Sequence, residues 1–164
     1  MAWTRRKVIA GAGSLLTVSV AAAPPLRLGL VADAQYADID PAGTRFYRQS
    51  VEKLGAAVDH LNGQDLRGCL HLGDLIDRHW ESFPAILKPL SRSRHRFHHL
   101  LGNHDFDVPE GKRSQVMGQL GMPSRYYALD MDGFRLLMLD TNAVSVYAQP
   151  EDAPETAAAR IELE

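Results

Sequence analysis

The pattern of hydrophobic and polar positions predicts strands that alternate with helices. Residues 26–32 form a nearly continuous apolar run, which is typical of a strand covered on both faces. Shorter strands are predicted at 68–72 and 94–101. Between the first two strands, the apolar positions of residues 44–61 recur at steps of four and three, which predicts one stripe of an amphipathic helix. Asn62-Gly63 then ends that helix.

The rest of the chain continues the alternation and then changes to a hairpin. A helix is predicted at 80–90, although it contains two prolines, and a shorter helix is predicted at 114–120. Strands at 126–130 and 134–140 flank a Met-Asp-Gly link with the chemistry of a tight turn. This order of elements predicts an α/β layered domain with a largely parallel sheet. Residues 157–164 resemble the start of a further helix.

The composition narrows the class of protein without identifying its chemistry. The 164 residues are 45% hydrophobic and 23% charged, which excludes a disordered, collagenous or multi-spanning chain. A formal net charge of -2 gives no strong positive electrostatic field that would attract a nucleic acid. The single cysteine, Cys69, excludes an intramolecular disulfide and a zinc site of several cysteines.

The first 23 residues have the features of an export signal. Arg5-Arg6-Lys7 precedes a mildly apolar run and three small alanines, which resembles a twin-arginine signal. A membrane anchor is the alternative, but the run 8–23 is shorter than the roughly 20 residues that span a bilayer. We therefore expect a signal at 1–23, a domain at 24–164, no stable membrane anchor and a periplasmic location. A wrong signal assignment would make the protein cytoplasmic.

Polar residues follow each of the three predicted parallel strands. A single aspartate after a strand is usually a helix cap or a turn residue. Because parallel strands end at the same edge of a sheet, three such groups are expected to converge there. Carboxylate and amide oxygens with an imidazole nearby suit Mn²⁺, Mg²⁺ or iron. The three groups are Asp33-Ala34-Gln35, Gly73-Asp74-Leu75-Ile76-Asp77 and Gly102-Asn103-His104-Asp105.

These three groups together resemble the motifs of the calcineurin-like metallophosphoesterases, D-x-(Q/H), G-D-x-x-D and G-N-H-(D/E). Gln35 stands where most of that family has histidine. The sequence around Asp33 is similar to that of the manganese-dependent ADP-ribose/CDP-alcohol diphosphatase branch. The resemblance covers roughly residues 26–142. It implies the α/β/β/α sandwich of the metallophosphoesterase fold, of which we expect this chain to hold the first half.

The resemblance also implies two divalent metal ions, bridged by a carboxylate and by the hydroxide that attacks phosphorus. Manganese is the expected metal, with iron, magnesium or zinc as alternatives. Asp33 and Gln35 would bind the first ion, Asp74 would bridge both ions, and Asn103 would bind the second. His104 would face the leaving oxygen as a proton donor or charge stabiliser. Asp77 would hold the His104 tautomer, and Asp105 is expected to shape the loop.

The implied substrate is a small phosphorylated molecule, ADP-ribose or a CDP-alcohol. A phosphomonoesterase or phosphodiesterase on the same centre is an alternative within enzymes. The family draws further histidine ligands from a second half, and this sequence has no histidine after His104. We therefore expect a C-terminally incomplete domain, with an exposed sheet face that favours dimerisation. An inactive half-domain is the alternative from another class of function.

Three further patterns in the sequence are not assigned to the site. Strand alternation places His95 and His99 on one face and His98 on the other, and we interpret them as solvated or hydrogen-bonded histidines. Tyr36 and Arg45 could contact a nucleotide, but either is as often structural. A redox or nucleotide-binding domain is disfavoured because the only Gly-x-Gly lies within the signal.

Overall fold

The computed structural model describes residues 25–145 and Pro154. Three strands form a parallel sheet in the order β1-β2-β3, with β1 at Leu28–Val31, β2 at Gly68–His71 and β3 at Phe97–His99. The expected α/β architecture with a parallel sheet is therefore confirmed. Each strand is shorter than predicted, because the chain leaves the sheet to form the polar loops that follow; β1 and β3 also begin later than predicted.

The first helix, α1, spans Ser50–Asn62 and begins six residues later than the apolar stripe predicts. Ala42 and Arg45 exchange two main-chain hydrogen bonds around Gly43, whose φ is +58°, so a tight turn occupies the expected first helical turn. A 3-10 turn then leads into the helix. Gly63 ends α1, as predicted.

The second helix, α2, spans Ser82–Leu90 in spite of its two prolines. Pro84 lies in the first turn, where the main-chain N–H has no partner within the helix, and Pro89 lies in the last turn. The single helix predicted at 114–120 is wrong in detail. Two short helices replace it, α3 at Glu110–Arg113 and α4 at Val116–Gln119.

The predicted hairpin is present, with β4 at Tyr127–Met131 and β5 at Phe134–Met138. Asp132 and Gly133 join the strands with φ of +49° and +85°. Two left-handed residues in a two-residue loop match the twist of antiparallel strands, which explains the Asp-Gly sequence. The Tyr127 hydroxyl donates to the carbonyl oxygen of His99 at 2.6 Å and joins the hairpin to β3.

The hydrophobic core lies between α1, α2 and the segment that follows β2. Leu54 and Val58 of α1 pack in one buried cluster with Phe83 and Ile86 of α2. Leu75, directly after the Gly-Asp pair of the second motif, is fully buried in the same cluster. The site loop after β2 is therefore anchored in the core on the side of the helices.

Several leucines elsewhere on the sheet and hairpin are exposed. Leu30 of β1 is 60% exposed and Leu137 of β5 is 66% exposed. Exposed apolar side chains can favour association; the open sheet face and dimerisation through it stay predictions. Among the described residues, no helix combines the length and apolar character needed to cross a membrane. The predicted signal at 1–23 and helix at 157–164 lie outside the described residues.

The strand predicted at 94–101 shortens to three residues, which changes the environment of its histidines. His95 lies outside β3, and its Nε2 is 3.1 Å from the carbonyl oxygens of Leu61 and Gln64. His99 is buried beside His71, with ring centroids 5.4 Å apart. Its Nδ1 has no hydrogen-bond partner among residues 25–145. The interpretation as a solvated or hydrogen-bonded histidine therefore does not hold for the Nδ1 of His99.

Candidate metal centre

Main-chain hydrogen bonds join the loops that follow β1 and β2. The N–H of Asp33 donates to the carbonyl oxygen of Gly73 at 3.2 Å, and the N–H of Gln35 donates to that of Asp74 at 2.9 Å. Main-chain hydrogen bonding between the two segments thus continues beyond the ends of β1 and β2, where the residues no longer belong to strands. As a result, the first and second motifs lie side by side, as the sequence predicts.

A buried carboxylate holds the third motif against the second. Asp105 is fully buried, and its two oxygens accept main-chain N–H groups at 2.9 to 3.3 Å. Burial raises the pKa of Asp105 to about 6, while three of these N–H groups act in the opposite direction. The expected loop-shaping role of Asp105 is confirmed. The four donors are Asp74, Leu75, Ile76 and Gly102.

Two glycines allow the loops after β2 and β3 to touch. Gly73 has a φ of +102°, and a Cβ on it would lie 2.7 Å from the Gly102 nitrogen. A Cβ on Gly102 would overlap the Asp74 carboxylate and main-chain nitrogen. Glycine is therefore required at both positions for the close approach that the motifs predict.

The Asp74 carboxylate lies where the three motifs meet. Its Oδ1 accepts the main-chain N–H of His104 at 3.0 Å, and its Oδ2 is 3.4 Å from the Gln35 amide nitrogen. In the second contact the amide nitrogen of Gln35 faces Asp74. The lone pairs of the Gln35 Oε1 therefore remain available to bind a cation. One carboxylate thus contacts both the first and the third motif.

Three of the predicted metal ligands have left-handed backbone conformations. The φ angles are +54° at Asp33, +43° at Gln35 and +55° at Asp74. Such conformations cost about 1 kcal/mol or more each outside glycine and cluster at functional sites. Their occurrence at three predicted ligands supports a functional assignment of these residues.

Asn103 and Asp33 present side chains at the surface of this edge. Both residues are exposed, and Asn103 directly precedes the 3-10 turn His104–Phe106. In the described part of the chain, neither side chain makes a hydrogen bond or an ion pair. Their oxygens are therefore free to bind a ligand from solvent.

His104 and Asp77 are in contact, but the contact involves the main-chain carbonyl of Asp77 and not, as expected from the sequence, its carboxylate. The His104 Nδ1 is 3.0 Å from the main-chain carbonyl oxygen of Asp77 and 3.7 Å from its carboxylate. The buried carboxylate instead binds Arg78 at 2.6 Å and Arg45 at 3.5 Å. The carbonyl requires a proton on Nδ1, so Asp77 still selects the tautomer with an open Nε2.

The four predicted ligands suit a hard divalent cation. Asp33 and Asp74 supply carboxylate oxygens, and Gln35 and Asn103 supply amide oxygens, the donors preferred by Mn²⁺ and Mg²⁺. Across residues 25–145, no three His, Cys, Asp or Glu side chains form a metal-binding cluster. The residues thus fit an oxygen-rich site that includes amide donors, and not a zinc site of cysteine and histidine.

Two features near this edge have no counterpart in the sequence predictions. His71 is fully buried next to His99. Its position in an apolar strand did not indicate that it packs against a second histidine. A cavity of about 320 Å³ opens beside Asp33 and Gln35, lined also by Phe46 and Lys53. The only signal in the sequence was the aromatic residue Phe46 itself, because the fold alone brings it next to Asp33.

Comparison with known proteins agrees with this arrangement. Residues 26–152 match the family model for calcineurin-like phosphoesterases. Two proteins named manganese-dependent ADP-ribose/CDP-alcohol diphosphatase, from Arabidopsis thaliana and Oryza sativa subsp. japonica, are 30% and 32% identical to this chain. Each alignment covers 86% of this chain and 50% or 49% of the relative. The chain spans about half the length of the curated relatives it matches.

A solved structure shows the same fold. The crystal structure of a dimetal phosphatase from Danio rerio matches with a TM-score of 0.66 at 24% sequence identity. The match covers 84% of this chain and 51% of that one. The layered fold expected from the motifs is therefore confirmed over the part of the chain that aligns.

Proposed function

This chain belongs to the calcineurin-like phosphoesterase family, and on that premise we propose that it is a metal-dependent hydrolase of phosphoanhydrides such as ADP-ribose or a CDP-alcohol. The relatives that carry this activity in their names support the substrate class. Gln35, in place of the histidine of most family members, supports the same branch.

One observation carries the proposal. The Asp74 carboxylate contacts the His104 main-chain N–H at 3.0 Å and the Gln35 amide at 3.4 Å. A bridging carboxylate needs to lie between the ligands of both ions, and Asp74 lies between the first and third motifs. No other carboxylate in residues 25–145 contacts both of these motifs through its side chain.

The ligands divide into two sets around Asp74. Asp33 and Gln35 would hold one divalent ion, Asn103 would hold the second, and Asp74 would contact both. A bound pair of such ions lowers the pKa of water and stabilises phosphoryl oxygens during in-line displacement. We propose manganese as the metal, because the relatives named above depend on it.

We expect His104 to act on the leaving group. The bond from its Nδ1–H to the Asp77 carbonyl holds the ring and leaves Nε2 free. In the hydrolysis, a bond forms between the water oxygen and phosphorus, and the bond from phosphorus to the bridging oxygen breaks. Protonated His104 would give its Nε2 proton to that oxygen, or its charge would stabilise it. The products are then a nucleoside monophosphate and a second phosphorylated fragment.

Hydrolysis by the full chain with Mn²⁺ tests the proposal. ADP-ribose should yield AMP, and Asp74→Asn should lower the rate about 100-fold or more, because an amide is a neutral and weaker metal ligand. Asp65→Asn, an exposed position outside the site, is the matched control. Faster turnover of p-nitrophenyl phosphate than of ADP-ribose would favour the alternative, a general phosphomonoesterase.

Metal content distinguishes the enzyme from an inactive half-domain. About two manganese ions per folded chain, lost in Asp74→Asn, would support the complete centre. One ion or none, together with no turnover of either substrate, would contradict the proposal. The four ligands of the described residues would then be insufficient without further donors.

We also propose export through the signal at 1–23. The pair Arg5-Arg6 is the feature that supports it. Replacing both with lysine keeps the charge, so a shift of the protein from the periplasmic to the cytoplasmic fraction would test the twin-arginine assignment itself. An unchanged distribution would contradict it.

A further inference from the structure

The cavity beside Asp33 has two walls of different origin. The chain that leaves β1, including Asp33 and Gln35, forms one wall, and the first turns of α1 form the other. Its volume of about 320 Å³ is at the lower end of the range of about 300–1,000 Å³ for small-molecule sites. A cavity of this size suits one half of a dinucleotide-like molecule and not the whole.

The charged groups of this cavity favour an anion. Lys53 lines it from α1, and its ammonium has no ion pair or hydrogen bond within the described residues. Arg45 also lines it and has one long contact, at 3.5 Å, with Asp77. Asp33 is the only acidic lining residue, and it is a proposed metal ligand. The remaining charge of the cavity is therefore positive.

An aromatic side chain borders the same cavity. Phe46 is 47% exposed; it follows the exposed turn of Ala42 to Arg45 and precedes the buried Tyr47. An exposed phenylalanine next to the unpaired ammonium of Lys53 offers a flat apolar surface for a base or sugar ring, while the ammonium binds the phosphate attached to it.

We propose that this cavity binds the half of the substrate that is not attacked, with Lys53 binding its phosphate and Phe46 covering its ring. This inference rests on the proposed phosphoanhydride hydrolysis and specifies how the second phosphate is recognised. A simple phosphomonoester has no second phosphate and would leave Lys53 unused. Lys53 is thus a residue that determines specificity for phosphoanhydrides.

Calorimetric titration of the full chain tests the cavity without turnover. ADP and adenosine are compared in the presence of EDTA, so that no metal contributes to binding. ADP should bind more tightly than adenosine. Lys53→Gln should weaken ADP binding about tenfold and leave adenosine unchanged, because a charge-assisted bond to phosphate is lost. Lys53→Arg should retain ADP binding. Phe46→Ala should weaken both ligands.

Matched surface variants provide the controls. Lys88→Gln removes an exposed lysine outside the cavity, and Phe134→Ala removes a phenylalanine that is also 47% exposed. Neither should change binding. Equal effects of Lys53→Gln and Lys88→Gln, no preference for ADP over adenosine, or no binding at all would overturn the inference.

Kinetics separate this inference from the proposed function. With Mn²⁺, Lys53→Gln should raise KM for ADP-ribose about tenfold and leave p-nitrophenyl phosphate turnover unchanged. Hydrolysis of both substrates that is insensitive to Lys53→Gln would overturn the role of the cavity alone. No hydrolysis of either substrate, with Lys53-dependent ADP binding, would overturn the proposed function and support an anion site.

Discussion

Asp105 and the His71–His99 pair are polar groups buried at the same edge of the parallel sheet, but their surroundings differ. Asp105 accepts four main-chain N–H groups from two loops. His71 has no hydrogen-bond partner for either ring nitrogen within residues 25–145, and His99 has none for Nδ1. The first group organises the candidate metal centre, whereas the second is held in place by packing.

This difference shows that burial of a polar side chain does not by itself indicate a function. A carboxylate can satisfy several main-chain donors at once, so its burial joins segments that are distant in sequence. A neutral imidazole that packs without partners contributes apolar contact and forgoes its hydrogen bonds. The two environments therefore predict opposite responses to substitution and to pH.

The largest expected effect is from Asp105→Asn. The amide offers one acceptor oxygen and places an NH₂ group against main-chain donors, so some of the four N–H groups lose their partner. We expect the free energy of unfolding to fall by about 3 kcal/mol or more. Urea denaturation measures it. Asp107→Asn, two residues away and exposed, should change it by less than about 0.5 kcal/mol. Equal losses in both variants would contradict the role of Asp105.

The contact between the two loops can also be disturbed from the glycine side. Gly102→Ala places a methyl group on the Asp74 carboxylate, so either the loop or Asp74 has to move. We expect a loss of about 1–3 kcal/mol in the free energy of unfolding and weaker Mn²⁺ binding. Gly118→Ala in α4 meets nothing within 4 Å and is the control. Unchanged metal affinity in Gly102→Ala would separate loop packing from the metal centre.

Acid should destabilise the fold through the histidines. Burial lowers the pKa of His71 to about 3 and that of His99 to about 4, whereas both have a pKa of 6.5 when unfolded. Below pH 6.5 the unfolded chain therefore binds two protons that the native chain does not, and stability is lost as pH falls. Asp105 acts in the opposite direction, since its pKa is about 6 in the native state and 3.8 unfolded. It gains a proton on folding between these values.

The net effect is about one extra proton on the unfolded chain near pH 5. At about 1.4 kcal/mol per proton per pH unit, the free energy of unfolding should fall by about 2 kcal/mol between pH 6.5 and 5. Denaturation midpoints at several pH values measure this slope. In a variant with His71→Gln and His99→Gln, the contribution of Asp105 should dominate and reverse the slope. A slope unchanged by these substitutions would show that other groups cause it.

The sequence predicted the meeting of the three motifs far better than it predicted the environment of these buried groups. The motifs around Asp33, Asp74 and Asn103 were placed correctly, because parallel strands fix where their ends lie. Helix α1 begins late because the turn at Gly43 competes with the helical stripe. His71 lies in an apolar strand, and its exposure depends on neighbours that come from distant segments. Local patterns cannot specify those neighbours.

The cavity illustrates the same limit. Lys53 and Phe46 are seven residues apart on a helix and the turn before it, and neither carries a motif. Only the packing of α1 beside the end of β1 brings them together next to Asp33. Helical spacing indicates which side chains share the face of Lys53, but the opposite wall of the cavity comes from another element.

The smallest effect is expected from His71→Leu at neutral pH. The substitution removes two buried nitrogens that lack partners and replaces the ring with an apolar side chain, so the lost packing and the relieved desolvation nearly cancel. We expect the free energy of unfolding to change by less than about 1 kcal/mol, in contrast to the loss at Asp105. Thermal denaturation at pH 8, where His71 is neutral in both states, measures it. A loss of about 2 kcal/mol or more would mean that an ordered water molecule binds the imidazole, and the two buried groups would then be alike.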